Sequence, residues 1–111
     1  MSDRTEKVSN LIKEKTAEFL NRENNGTSLI TVTSATVSPD LKRATVFITV
    51  LPEKFENTAL LFAKRKRPQI REFLKKHMMT KVIPFIEVDI DRGEKNRQKI
   101  DELLRANTTE A

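Results

Sequence analysis

Cysteine, tryptophan and tyrosine are all missing from these 111 residues, histidine occurs once and glycine twice. Without cysteine there are no disulfides, and a zinc site would lack its best ligand. A lone His77 cannot build an all-histidine metal site, and it sits in an apolar helical stripe, the place of a core-edge residue rather than of a general base. With only Gly26 and Gly93, a glycine-rich phosphate loop is impossible. No apolar run approaches the ~20 residues of a membrane span, and the opening residues lack the apolar stretch of a secretory signal. These absences argue against an enzyme, a metal or a cofactor. They point to a cytoplasmic chain with no membrane attachment and no small-molecule substrate.

What is abundant is charge, unevenly placed. The net charge is +5, yet the segment from residue 61 to 81 alone holds eight basic side chains against one acid, Glu72. The cations are Lys64, Arg65, Lys66, Arg67, Arg71, Lys75, Lys76 and Lys81. A block of one sign repels itself, and mixed signs serve solubility better, so the arrangement implies a polyanionic partner.

The length allows one domain. Val8, Leu11, Ile12, Thr16, Phe19 and Leu20 follow the spacing of one helical face, predicting a helix over 4–22 opened by a loose capping box, Asp3 with Glu6. Gly26 can take the left-handed conformation that ends it. Residues 29–38 are rich in β-branched side chains, and their buried parity switches near Ser34, which predicts a β-bulge. Ser38-Pro39-Asp40-Leu41 is turn chemistry, and Ala44, Val46, Ile48 and Val50 alternate on a second strand, so an antiparallel hairpin is expected. A helix capped by Thr58 should run to about Lys66. Pro68 breaks it and opens another, ending near Met79, with Ile70, Phe73, Leu74, His77 and Met78 on one face. A third strand is predicted over 82–91, then a final helix whose only apolar residues are Ile100, Leu103 and Leu104, and a disordered tail after Arg105. The fold class is α+β, with a three-stranded sheet covered on one face by helices. The domain spans 4–91, and 92–111 form a peripheral helix and tail.

At helical spacing Lys64, Arg67, Arg71 and Lys75 make one line, flanked by Arg65, Lys66, Lys76 and Lys81. Beside them, the N-terminus of the helix after Pro68 offers N–H groups and a positive dipole end. The alternative is a solvated basic face with no partner. Phe47, opposite the buried parity of its strand and beside Arg43, suits stacking on a nucleic-acid base unless a loop or the last helix covers it. Glu87, Asp89 and Asp91 could suggest a metal site, but alternating with Ile86, Val88 and Ile90 they read as the wet face of a strand.

The stretch Val37-Ser38-Pro39-Asp40-Leu41-Lys42 with Ala44-Thr45-Val46-Phe47-Ile48-Thr49-Val50 resembles the hairpin signature of the bacterial ribosome-binding factor A family. Arg4, Val8, Leu11 and Ile12 in the first helix, Ile70-Arg71 with Leu74, and Pro84 followed by Asp91 are similar too, so the resemblance covers roughly 4–105. It implies a type II KH-like fold, α-β-β-α-α-β, and an assembly factor; with the catalytic parts missing, a monomeric, non-catalytic binding module is expected. Such a factor binds precursor small ribosomal subunits, aids maturation of the 5′ end of their rRNA and supports growth in the cold. Where that family has an Ala-x-Gly interruption between its helices, this sequence has Lys66-Arg67-Pro68. Arg71 is the family position that carries over, and any phosphate grip must come from side chains. Two rivals remain: a general single-stranded RNA-binding KH-like domain without a ribosomal role, and a small nuclease.

Overall fold

The computed structural model describes residues 3–24, 26, 28–79 and 82–109, without the side chains of Asp3 and of 106–109. The order of elements is α1 (Asp3–Glu23), β1 (Leu29–Val37), β2 (Arg43–Leu51), α2 (Glu56–Arg65), α3 (Arg67–His77), β3 (Phe85–Ile90) and α4 (Arg92–Thr109), with a short 3-10 turn, Glu53–Phe55, before α2. The sheet runs β1-β2-β3, with β2 antiparallel to β1 and parallel to β3. This is the α-β-β-α-α-β plan plus a peripheral helix. β2 is central because it is flanked by its hairpin partner on one side and by the strand returning from the helix pair on the other.

The core lies between the sheet and α1, α2 and α3. Ile12, Phe19 and Leu20 from α1, Ala59 and Ala63 from α2, and Ile70, Phe73 and Leu74 from α3 close over Val46, Ile48, Val88 and Ile86. Each of these side chains is contributed by a stripe of the correct period, 3.6 on helices and 2 on strands. Among the described residues, no helix is long and apolar enough to cross a membrane.

Local chemistry sets the joints. Gly26 takes a φ of +85° after α1, and the Asn24 amide bonds the Ser28 carbonyl at 2.7 Å to hold the turn into β1. The pairing of β1 with β2 slips between Val32 and Ser34, so Thr33 is the inserted residue of the bulge. The Asp40 carboxylate accepts from Ser38 Oγ and from the Lys42 N–H, fixing the hairpin turn. These bonds hold the Asp40 carboxyl below its ordinary range.

Several boundaries differ from the sequence reading. α2 begins at Glu56 because the 3-10 turn runs straight into it, so Thr58 lies inside the helix and no described side chain caps it. α3 stops at His77, where Met78 is already extended, and β3 starts only at Phe85. Pro84, fully buried just before it, has no N–H to lend to the ladder. The sequence reading ended the last helix near Arg105, but α4 runs to Thr109; nothing between them is a glycine or proline that would stop it. The cap expected at Asp3 depends on a side chain outside the described set.

α4 attaches through polar contacts. Asp91 Oδ1 accepts the Glu94 N–H at its start. Lys95 Nζ lies 3.0 Å from both Glu53 and Glu56, and Lys99 lies 3.4 Å from Glu53. Its Ile100, Leu103 and Leu104 are exposed.

Candidate nucleic-acid interface

The sequence bends where α2 ends and α3 begins. Lys66 lies between them with φ −87° and ψ 2°, outside helical geometry, and Pro68 sits in the first turn of α3 with the fixed φ that turn needs. Among the described residues no side chain caps this N-terminus. Opposite the bend lies β3, an edge strand of the sheet. Between the two runs an open groove of about 530 Å³ lined by Lys64, Arg65, Arg67, Pro68, Arg71, Glu72, Phe85 and Ile86. Four cations therefore share one wall with a single acid.

Their individual settings differ. Arg67 is committed: its Nε donates to the Lys64 carbonyl at 2.9 Å and its guanidinium pairs with Glu87 on β3. Arg71 reaches the Ile83 carbonyl at 3.2 Å, which ties α3 to the segment leading into β3. Both arginines brace the groove as well as charging it. Arg65 is exposed and Lys64 half-buried at its rim. Lys66 is directed elsewhere, with its Nζ 5.8 Å from the centre of the Phe62 ring.

The remaining predicted positions are not gathered here. Lys75 and Lys76 are exposed in the last turn of α3 and do not line the groove, though Lys75 pairs at 3.4 Å with Glu72, which does. Of the line Lys64, Arg67, Arg71 and Lys75, the first three line the groove although the bend falls between Lys64 and Arg67, and Lys75 follows Arg71 one turn further along α3. Lys81 lies outside the described residues. Phe47 is half-buried on the outer face of β2, paired in register with Ser34 and Asp89, and does not reach the groove. α4 lies further along β2, where it shares a cleft with Thr49 and Leu51.

The aromatic residue that does stand in the groove is Phe85, 59% exposed. Sequence reasoning passed over it, although its parity with Glu87 and Asp89 already put it on the wet face of β3. Its register partner on β2 is Arg43, also exposed.

The acids and the histidine are occupied structurally. Glu87 pairs with Arg67, Asp89 accepts the Ile90 N–H at 2.8 Å, and Asp91 caps α4. Among the described residues no group of three histidine, cysteine or acidic side chains could hold a metal ion. His77 is exposed rather than at the core edge, its ring centre 4.2 Å from that of Phe73. What this geometry can do is hold a flexible polyanion: cations on one wall, an aromatic ring on the other, and a rigid backbone beneath both.

Comparison with known proteins agrees with this architecture. The family model described as ribosome-binding factor A matches residues 4–104. Ribosome-binding factor A of Chlorobium luteolum is 32% identical over 111 residues, covering 96% of this chain and 92% of that protein. The crystal structure of ribosome-binding factor A from Thermus thermophilus superposes with a TM-score of 0.71 at 20% identity, covering 79% of this chain and 97% of that one. A second set of Thermus thermophilus coordinates, fitted into the cryo-EM map of a complex of that factor with the 30S subunit, gives a TM-score of 0.65 at 22% identity, covering 74% and 89%. A family match that runs from the first helix into the last, over residues 4–104, means that this chain belongs to the ribosome-binding factor A family.

Proposed function

We propose that this chain is a non-catalytic binding factor for the immature small ribosomal subunit, assisting its assembly and the maturation of the 5′ end of its rRNA. It would act in the cytoplasm, as a monomer. Family membership supports the partner, as does the relative from Thermus thermophilus that was fitted into a 30S complex.

The observation that carries the mechanism is the groove between the α2–α3 bend and β3. It places Lys64, Arg65, Arg67 and Arg71 around one channel. Phosphates entering it displace condensed counterions, and that release drives binding without reading sequence. Specificity then rests on the shape of the rRNA around the factor. The bent helix pair presents its cations from two axes, which suits a folded or turning strand better than a straight duplex. Lys75 and Lys76 extend the positive field beyond the channel, for steering.

The test is co-sedimentation of the intact chain with precursor subunits. Lys64 and Arg65 are the residues to reverse, since Arg67 and Arg71 also bind other parts of the fold. The Lys64→Glu, Arg65→Glu double variant is expected to lose co-sedimentation with an unchanged melting curve; full retention refutes the surface. With ~5 phosphates engaged, log affinity for single strands should fall with log salt at a slope near −3.5. Equal affinity for subunits and for unrelated RNAs would favour a general RNA-binding domain instead.

A further inference from the structure

We propose that Phe85 is a stacking platform for one unpaired RNA base at the mouth of the cationic groove. The proposal rests on the reading of that groove as an RNA site and deepens it by naming a base-binding position.

Four observations meet at this residue. Phe85 is 59% exposed, while its neighbours in sequence, Pro84 and Ile86, are buried. Leaving more than half of a phenylalanine in water while its two flanking residues are packed away gains nothing for folding. The ring shares its groove with Lys64, Arg65, Arg67 and Arg71. Across the sheet its register partner is Arg43, exposed on the same outer face. An apolar surface ringed by cations does not fit an apolar protein partner, because docking would strip water from guanidinium and ammonium groups without supplying counter-charge. A nucleotide supplies both halves of the match, a π face for the ring and a phosphate for the cations.

The platform is also held rigid. The Phe85 N–H donates to the Lys42 carbonyl at 2.8 Å, and Pro84 fixes the backbone just before it. A ring with two side-chain torsions on a fixed strand loses little entropy when it stacks. Phe47, the aromatic residue singled out by sequence, lacks this setting: it is half-buried and away from the groove.

The chain contains no tryptophan and no tyrosine, so Phe85→Trp installs a single emitter at the site. With the full-length variant, a short mixed-sequence single-stranded RNA should quench that emission on binding. The same strand made abasic at every position should bind through its phosphates without quenching. Phe85→Leu keeps an apolar side chain but removes the π face. Its affinity for the RNA should fall about tenfold, with the salt slope unchanged because no phosphate contact is lost. Phe85→Trp should restore it.

Wild-type affinity in Phe85→Leu, or steady emission in Phe85→Trp saturated with RNA, overturns the platform. Loss of binding in the Lys64→Glu, Arg65→Glu variant alongside either result leaves the groove standing and removes only the stacked base. If Phe85→Leu weakens subunit binding while protein-free rRNA leaves the emission unchanged, the ring meets a protein and the proposal fails.

Discussion

The Thr33 hydroxyl lies 2.5 Å from Asp91 Oδ2, joining the bulge of the first strand to the start of the last helix across the width of β2. The same hydroxyl is 3.2 Å from the Phe47 carbonyl. The other Asp91 oxygen accepts the Glu94 N–H at 3.0 Å, so one carboxylate both receives the bulge and caps α4. Asp91→Ala removes both contacts. It should cost about 1 kcal/mol, the usual worth of an N-cap, and circular dichroism should report lost helicity with the core melting otherwise intact. Thr33→Val should act in the same direction and less strongly.

The attachment of α4 should have a pH window. Asp91 is held below its ordinary range, first by the Glu94 N–H and then by Thr33. Glu53 is lowered by Lys95 and Lys99, and Lys95 is raised by Glu56 and Glu53. A depressed carboxyl stabilises above its unfolded value, about 4, and that contribution disappears as pH falls through the folded value. A raised lysine stabilises below its unfolded value, about 10.4, and loses its contribution as pH rises through the folded one. Protection of the α4 amides, taken relative to the intrinsic exchange rate at each pH, should therefore be greatest near neutral pH and fall in acid and in strong alkali. A flat profile would show that these groups do not hold the helix.

Arg67 is restrained by Glu87, and releasing it should strengthen the groove. Glu87→Gln keeps the shape of the side chain and removes its charge. Affinity for single-stranded RNA should rise, and the salt slope should steepen by ~0.7 if the freed guanidinium takes one more phosphate. Unchanged affinity and slope in a filter-binding titration would mean that Arg67 does not face the ligand.

Thr16 is fully buried and its hydroxyl has no hydrogen-bond partner among the described residues. A buried polar group left unmatched costs on the order of 1–3 kcal/mol. Thr16→Val has nearly the same shape and no hydroxyl, so urea unfolding should give a gain of about 1 kcal/mol. Leu74→Ala, at a side chain with 0% exposure, should lose roughly 2–5 kcal/mol, the range for a large core side chain cut to alanine.

Most elements were legible because periodicity is a local signal. Val46, Ile48 and Val50 had to share a strand face, and Val8, Ile12, Phe19 and Leu20 a helix face, whatever the rest of the chain did. The bulge was legible for the same reason, since one inserted residue shifts parity wherever it occurs. Boundaries were less so: β3 starts late and α2 starts early because a buried Pro84 and a 3-10 turn act through packing and hydrogen bonds, not through pattern.

The candidate site was half legible. Charge density marked Lys64, Arg65, Arg67 and Arg71 as neighbours in sequence, and the bend brought them to one channel. It gave no hint that Glu87, twenty residues on, would take Arg67, or that Lys66 would turn to Phe62. Phe85 illustrates the limit. Sequence alone determined that it would alternate outward on its strand, because side-chain direction follows backbone period. Only the tertiary structure decided that this outward face would stand in a cationic groove, because α3 and β3 are placed side by side by core packing, and contacts between distant segments leave no mark in local spacing.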